Sequence, residues 1–190
     1  GSGNTNFLST VLSSQASLFT AELPKEHGIV GDQFLKGADK RYITNDPTGA
    51  TSLRDIDGDL NADTIYNYLA EAGRSKAVLA NMYTKGVSSQ PPDKEIFPVI
   101  DWSTGQFTNA ADSLSKAYFD NLKANDQDSF NDPANFITAY ILKHSHGLTD
   151  AATGAADADA TMGEIIQKLN ANKMLDDAVF VVTSDHGLKE

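Results

Sequence analysis

The amino-acid sequence predicts an α/β fold in which a mainly parallel sheet is sandwiched between helices. Three observations carry this expectation. Helical patterns and short apolar runs alternate along the chain. The runs are continuous rather than alternating, so both faces of each strand need cover, as in a parallel sheet. Two of them run into clusters containing His or Asp, and open parallel sheets gather ligands at the carboxyl ends of their strands.

The elements follow in order. Phe7 to Thr20 (FLSTVLSSQASLFT) follows the cap-like Asn4-Thr5-Asn6, and Phe7, Leu8, Val11, Leu12, Leu18 and Phe19 roughly share a helical face. A loop rich in Gly, Asp and Asn is expected from Pro24 to Asp63. Asp63 is expected to cap a helix from Thr64 to Ala72, with Gly73 just past its end. Lys76 to Met82 (KAVLANM) reads as a strand. After Gln90-Pro91-Pro92, Asn109 is expected to cap a helix over Ala110 to Ala124. Phe136 to Leu142 (FITAYIL) is β-branched and aromatic and reads as a buried strand. Asp157 to Asn170 reads as a helix with Met162, Ile165, Ile166 and Leu169 on one face. Ala178 to Val182 (AVFVV) is the last expected strand.

Composition bounds the function. The 190 residues are 40% hydrophobic and 22% charged, which suits a globular chain and is too apolar for a disordered one. Gly1-Ser2-Gly3 reads as a cloning scar, leaving residues 4–190 as one domain. There is no cysteine, which excludes a disulfide scaffold, a Cys nucleophile and thiolate metal sites. With 26 acidic against 15 basic residues the net charge is -11, which argues against nucleic acid as a partner. No apolar stretch approaches the roughly 18 residues that a membrane span needs.

Three clusters offer chemistry. Asp185-His186-Gly187 follows AVFVV and places a carboxylate beside an imidazole, donors suited to zinc, manganese or iron. A turn cap with a partly exposed His is the alternative. His144 and His146, two residues apart after FITAYIL, would share one face of an extended segment and form a chelate, or else a polar loop. Asp55, Asp57, Asp59, Asn61 and Asp63 alternate through RDIDGDLNAD. An EF-hand needs Gly at its sixth and an acid at its twelfth position, where this loop has Leu60 and Tyr66. A solvated acidic loop is favoured, with a non-EF calcium site at Asp55, Asp57 and Asp59 as the alternative.

Four blocks then resemble the alkaline phosphatase superfamily, in its type I phosphodiesterase/nucleotide pyrophosphatase branch. They are Ser17-Leu18-Phe19-Thr20 with Pro24 to Gly31 (PKEHGIVG), Thr64 to Gly73, Asp159 to Ile166, and Val181 to Gly187 (VVTSDHG). They occur in family order. The resemblance implies a three-layer α/β/α sandwich and a two-metal site, commonly zinc, at which a Thr or Ser attacks phosphorus. Asp185 and His186 would hold the metal that activates the nucleophile, and His146, with His144 beside it, would feed the other. His27 is expected to be structural. The implied partner is a small phosphate ester or nucleotide, and the implied location is secreted or periplasmic.

The departures are specific. Counted back without gaps from His27, the nucleophile position falls on Val11, so Thr10 is the nearest hydroxyl candidate. The family's Pro and Asn after the nucleophile are Ser13 and Ser14 here, and the Asp expected four residues before His146 is Leu142. The family's first strand and its last His ligand fall beyond both ends of this sequence. Two expectations result. One is a metal-dependent hydrolase of phosphate esters or diesters. The other is a catalytically inactive member acting as a binding or assembly module, with an unpaired sheet edge that invites self-association.

Overall fold

The structure, a computed structural model, describes residues 10–31, 33–36, 41–44, 57–79, 83–88, 93–96, 100–101, 106–107, 136–139 and 151–185. In chain order the elements are α1 (Val11–Thr20), α2 (Pro24–His27), β1 (Gln33–Lys36), β2 (Arg41–Thr44), α3 (Ile65–Glu71), β3 (Lys76–Leu79), β4 (Lys94–Ile96), β5 (Ile100–Asp101), β6 (Gln106–Phe107), β7 (Phe136–Ala139) and α4 (Ala151–Ala171). They fall into two compact units, one formed by 1–73, 82–86 and 181–190, the other by 74–81 and 87–180.

The first unit is built on α1. Leu12, Ala16 and Phe19 recur at helical spacing and are buried. Phe19 meets Tyr66 of α3 with ring centroids 5.4 Å apart, a tilted aromatic pair. The Tyr83 hydroxyl donates to the Leu12 carbonyl at 2.9 Å, so a buried phenol is satisfied by the helix it packs on. Pro24 opens α2 at the position where its missing N–H costs nothing. Within the span expected to be loop, β1 and β2 pair antiparallel, with Phe34 opposite Ile43.

α3 carries its own start signal. The Tyr66 N–H donates to Thr64 Oγ1 at 3.1 Å, and the Thr64 N–H donates to Asn67 Oδ1 at 2.9 Å. This reciprocal cap makes Thr64, not Asp63, the capping residue. Gly73 follows the C-cap with φ +65°, as its position after the helix requires.

The second unit contains a three-stranded parallel sheet in the order β4-β3-β7. Central β3 is buried along its whole length, which accounts for its unbroken apolar run Ala77-Val78-Leu79. Ala77 and Leu79 cluster with Ile165 and Leu169, one turn apart on α4, with Ile137, Ala139, Met174 and Leu175 packed around them. This is a β-sheet covered by the helix the sequence predicts, although α4 begins at Ala151 rather than Asp157. β5 and β6 form a short antiparallel ladder.

At the foot of β3 lies a buried ion pair. Lys76 Nζ is 2.8 Å from Asp93 Oδ2, and the two side chains are 3% and 7% exposed. The same carboxylate accepts the Lys76 N–H at 3.0 Å and the Ser88 N–H at 3.0 Å, while Lys76 Nζ also donates to the Arg74 carbonyl at 3.3 Å. Every charge is therefore paired and hydrogen-bonded, the condition under which burial is tolerated.

Among the described residues one expected strand is absent. Ala178 to Val182 forms no strand, and Val179 and Val181 are 92% and 86% exposed. Apolar character states what a segment would bury but does not supply a neighbouring strand to pair with. The helix expected over Ala110 to Ala124 lies outside the described residues, as do 80–82 and 140–142 of two expected strands. Among the described residues no helix is long and apolar enough to cross a membrane.

Asp93→Ala should destabilise by about 3–5 kcal/mol in urea denaturation, because it strands the Lys76 ammonium in the interior. Ala21 caps α1 in the left-handed region at φ 58°, a conformation costly for a residue with a Cβ. Ala21→Gly should accordingly raise stability by about 0.5–1 kcal/mol in the same assay.

Candidate functional site

The first turn of α1 concentrates unpartnered polar atoms. Thr10 is the N-cap, extended at φ -106° and ψ 153°, and its side chain makes no capping bond. Its carbonyl accepts the Ser14 N–H at 2.9 Å and opens the helix. Thr10 Oγ1, Ser13 Oγ and Ser14 Oγ are all buried, with no hydrogen-bond partner among the described residues. A buried hydroxyl left unpaired costs on the order of 1–3 kcal/mol. The spacing i, i+3, i+4 gathers the three on one side of the helix start, where the helix dipole is positive. Neutral O–H donors at such an end suit an oxoanion.

Asp185 is half-buried and receives the Gln15 Nε2 amide at 3.5 Å on Oδ2, a long bond that joins the Ser184-Asp185 segment to α1. Gln15 itself is fully buried. Thr10 and Asp185 are thus both placed against α1, whereas His186, His144 and His146 lie outside the described residues. Among the described residues no three His, Cys, Asp or Glu side chains converge on a point that would hold a metal.

His27 is buried and hydrogen-bonded on both ring nitrogens. The Ile29 N–H donates to Nδ1 at 3.1 Å, which makes Nδ1 an acceptor and leaves the proton on Nε2. Nε2 then donates to Ser17 Oγ of α1 at 2.9 Å. The His27 carbonyl accepts the Asn61 N–H at 2.9 Å. Burial pushes the imidazole below its ordinary value of 6.5, against an opposing pull from Glu26. Proton donation toward Ser17 is the reverse of what a general base would do, so the ring locks α1 to the loop after α2. Gly28 follows at φ +83°, and a Cβ there would sit 2.5 Å from Asn61 Nδ2.

The acidic loop is occupied from within. Both Asp57 oxygens accept the Thr84 N–H at 3.1 Å, and Oδ2 accepts the Thr84 hydroxyl at 2.8 Å. Asp59 is buried at 3% exposure. Lys85 Nζ donates to the Ala62 carbonyl at 2.8 Å and the Leu60 carbonyl at 3.3 Å, and lies 3.4 Å from Asp63 Oδ1. Asp55 lies outside the described residues. In the sequence Ser13 and Ser14 stand out only as departures from the family pattern, and nothing there marks Gln15 or Lys85. The signal for the serines was their i, i+3, i+4 relation to Thr10; the Lys85 contact spans more than twenty residues and leaves no local trace.

Comparison with known proteins fixes the lineage. The family described as type I phosphodiesterase / nucleotide pyrophosphatase matches residues 6–190. Among solved structures, the chain is similar to human ectonucleotide pyrophosphatase / phosphodiesterase 5, with TM-score 0.60 and 15% identity over 90% of this chain and 43% of that one. It is also similar to the murine counterpart, in an inactive variant in complex with AMP, with TM-score 0.59 and 16% identity over 90% of this chain and 44% of that one. The chain therefore spans less than half the length of these proteins, and at such identity the likeness establishes the fold. No curated protein sequence matches it.

The His27 geometry sets a pH dependence. An unfolded His titrates near 6.5 and the folded ring lies lower, so stability is full above pH 6.5 and falls as the pH drops toward the folded value. His27→Asn, which keeps an acceptor for the Ile29 N–H, should be less stable than the parent at pH 7.5. It should also lose less stability than the parent between pH 7.5 and pH 5. Equal losses in urea midpoint would count against this assignment.

Proposed function

The chain belongs to the type I phosphodiesterase / nucleotide pyrophosphatase family, and from that premise we propose that it hydrolyses phosphate esters or diesters with Thr10 as nucleophile. The observation that carries the reading is the trio of buried, unpartnered hydroxyls at the start of α1. We take the fold to be the family's single three-layer α/β/α sandwich, of which the β4-β3-β7 sheet and α4 form part. A secreted or periplasmic location is proposed with it.

In this reading the phosphoryl group lies across the first turn of α1. Thr10 Oγ1 gives up its proton and attacks phosphorus, the P–O bond to the alcohol breaks, and the leaving oxygen takes up a proton. Water then cleaves the threonine ester and releases phosphate or a phosphomonoester. Ser13 and Ser14 donate to the non-bridging oxygens, where negative charge gathers in the transition state. Removing one such donor from an oxyanion site costs on the order of 10²–10³ in kcat. Two zinc ions on Asp185, His186, His146 and His144 are the proposed complement, and would supply charge stabilisation at the attacking and leaving oxygens. Of that set, Asp185 alone is among the described residues.

A second reading is favoured by Val11, which stands at the ungapped nucleophile position, and by Leu142, which stands where the family has a carboxylate. In it the chain keeps oxoanion binding at α1 without turnover, and acts as a binding module for a nucleotide or a further chain.

Turnover of an aryl phosphodiester by zinc-supplemented protein tests the enzyme reading, with metal content measured by atomic absorption. The wild type should carry about two zinc ions, Asp185→Ala fewer, and Thr10→Ala should bind AMP while losing turnover. Thr10→Ala protein as active as wild type would remove Thr10 from the mechanism. Ser13→Ala and Ser14→Ala should each weaken turnover or AMP binding at least tenfold, yet raise stability by about 1 kcal/mol because each relieves an unpaired buried hydroxyl. AMP binding with no turnover in the wild type is the outcome that selects the second reading.

A further inference from the structure

We infer that the Lys85 ammonium is the resident cation of the acidic loop at 57–63, standing where a divalent ion would otherwise be needed. Three oxygen atoms lie around it. The Ala62 carbonyl lies at 2.8 Å, the Leu60 carbonyl at 3.3 Å and Asp63 Oδ1 at 3.4 Å. Two main-chain carbonyls and a carboxylate are the donor types that loops offer to calcium. Of the ammonium's three protons, two go to the Ala62 and Leu60 carbonyls, and the Asp63 carboxylate stands at ion-pair distance.

The position of Nζ is fixed by the turn that carries it. Thr84 is held through both its N–H and its hydroxyl by Asp57, at the start of the same loop. The Thr64 hydroxyl, at the loop's other end, donates to the Lys85 carbonyl at 2.5 Å. Gly86 then passes so close to α3 that a Cβ would sit 2.5 Å from the Asn67 nitrogen and 2.8 Å from the Tyr66 carbonyl carbon. Its φ of +95° suits glycine as well. The loop and the Thr84-Lys85-Gly86 turn thus clamp each other at two points while Gly86 is pressed against α3, and the side chain enters from a backbone that cannot swing away.

The carbonyls matter more than the ion pair. Asp63 is 57% exposed, and a pair that open to solvent contributes little. Carbonyl oxygens turned toward one another repel unless a cation or donor lies between them, and Lys85 supplies it. Because Thr64 ends the loop and caps α3, an unfilled loop would loosen the start of that helix.

Lys85→Met retains most of the stem and deletes the charge, so it isolates the ammonium. Thermal melts are run on the full chain with and without about 5 mM CaCl2, a concentration above the weak calcium sites of extracellular modules. The wild type should not move with calcium. The variant should melt about 4 °C lower, as expected for roughly 1–2 kcal/mol in a chain of this size, and calcium should restore at least half of that loss. A wild-type shift as large as the variant's, an unchanged melt for Lys85→Met, or a variant that ignores calcium would each overturn the inference. Should Lys85→Met fail to fold, calcium titration of the wild type, followed through the Gly58 and Asn61 amide signals, decides the matter. Saturable shifts refute the resident ammonium, and unmoved signals uphold it.

Discussion

The grip on α1 is the constraint from which the first unit follows. Four side chains from outside it hold this ten-residue helix. Tyr83 reaches the Leu12 carbonyl, His27 the Ser17 hydroxyl, Asp185 the Gln15 amide, and Tyr66 the Phe19 ring. A helix this short is marginal on its own, so its position is set by tertiary contacts rather than by propensity. Once it is held, the segments that supply those contacts are placed with it: the turn after α2, the start of α3, the Tyr83–Gly86 turn and the Asp185 segment.

That grip explains how three unpaired hydroxyls persist. A free helix would roll or fray until Thr10, Ser13 and Ser14 met water. Here the opposite side of α1 is fixed by Leu12, Ala16 and Phe19, all buried, so relief would disrupt the core. Strain of this kind is retained where the surroundings over-determine it, and a ligand's oxygens are one way to relieve it. The Lys85 clamp reinforces the same arrangement, because the turn bearing Lys85 also bears Tyr83.

Legibility in the sequence followed the range of the interactions. β3 and α4 could be read because their signals are local: an unbroken Ala77-Val78-Leu79 run, and Ile165 and Leu169 one turn apart. The Thr64 cap was also local, yet Asp63 beside it looked equally suitable. What separated them was the Asn67 side chain returning to the Thr64 N–H, a reciprocal bond that a single-residue rule does not weigh. Ala178 to Val182 shows the opposite limit. Its composition is that of a buried strand, and strand formation depends on a partner edge that composition does not encode. For the site, the VVTSDHG block singled out Asp185, which the structure sets against Gln15 of α1, while Gln15, Ser13, Ser14 and Lys85 acquire meaning only through contacts or shared faces.

The register of one residue decides which hydroxyl chemistry the site can have. Successive helical residues are rotated by about 100°, so Ser13, Ser14 and Ser17 fall within one stripe, with the N-cap Thr10 at its head. An ungapped count from His27 falls on Val11; the proposed reading takes Thr10 instead, because Thr10 heads the stripe that also bears Ser13, Ser14 and the His27-bound Ser17. As N-cap, Thr10 also has an extended backbone, so its side chain stands at the mouth of the helix rather than along its wall. The net charge of -11 adds a final constraint. An anionic ligand approaching this chain meets a repulsive field, and among the described residues the first turn of α1 offers only neutral hydroxyls and the helix dipole against it. In the proposed reading, binding would therefore rest on short-range donors in a desolvated place, where each hydrogen bond is worth more than in water.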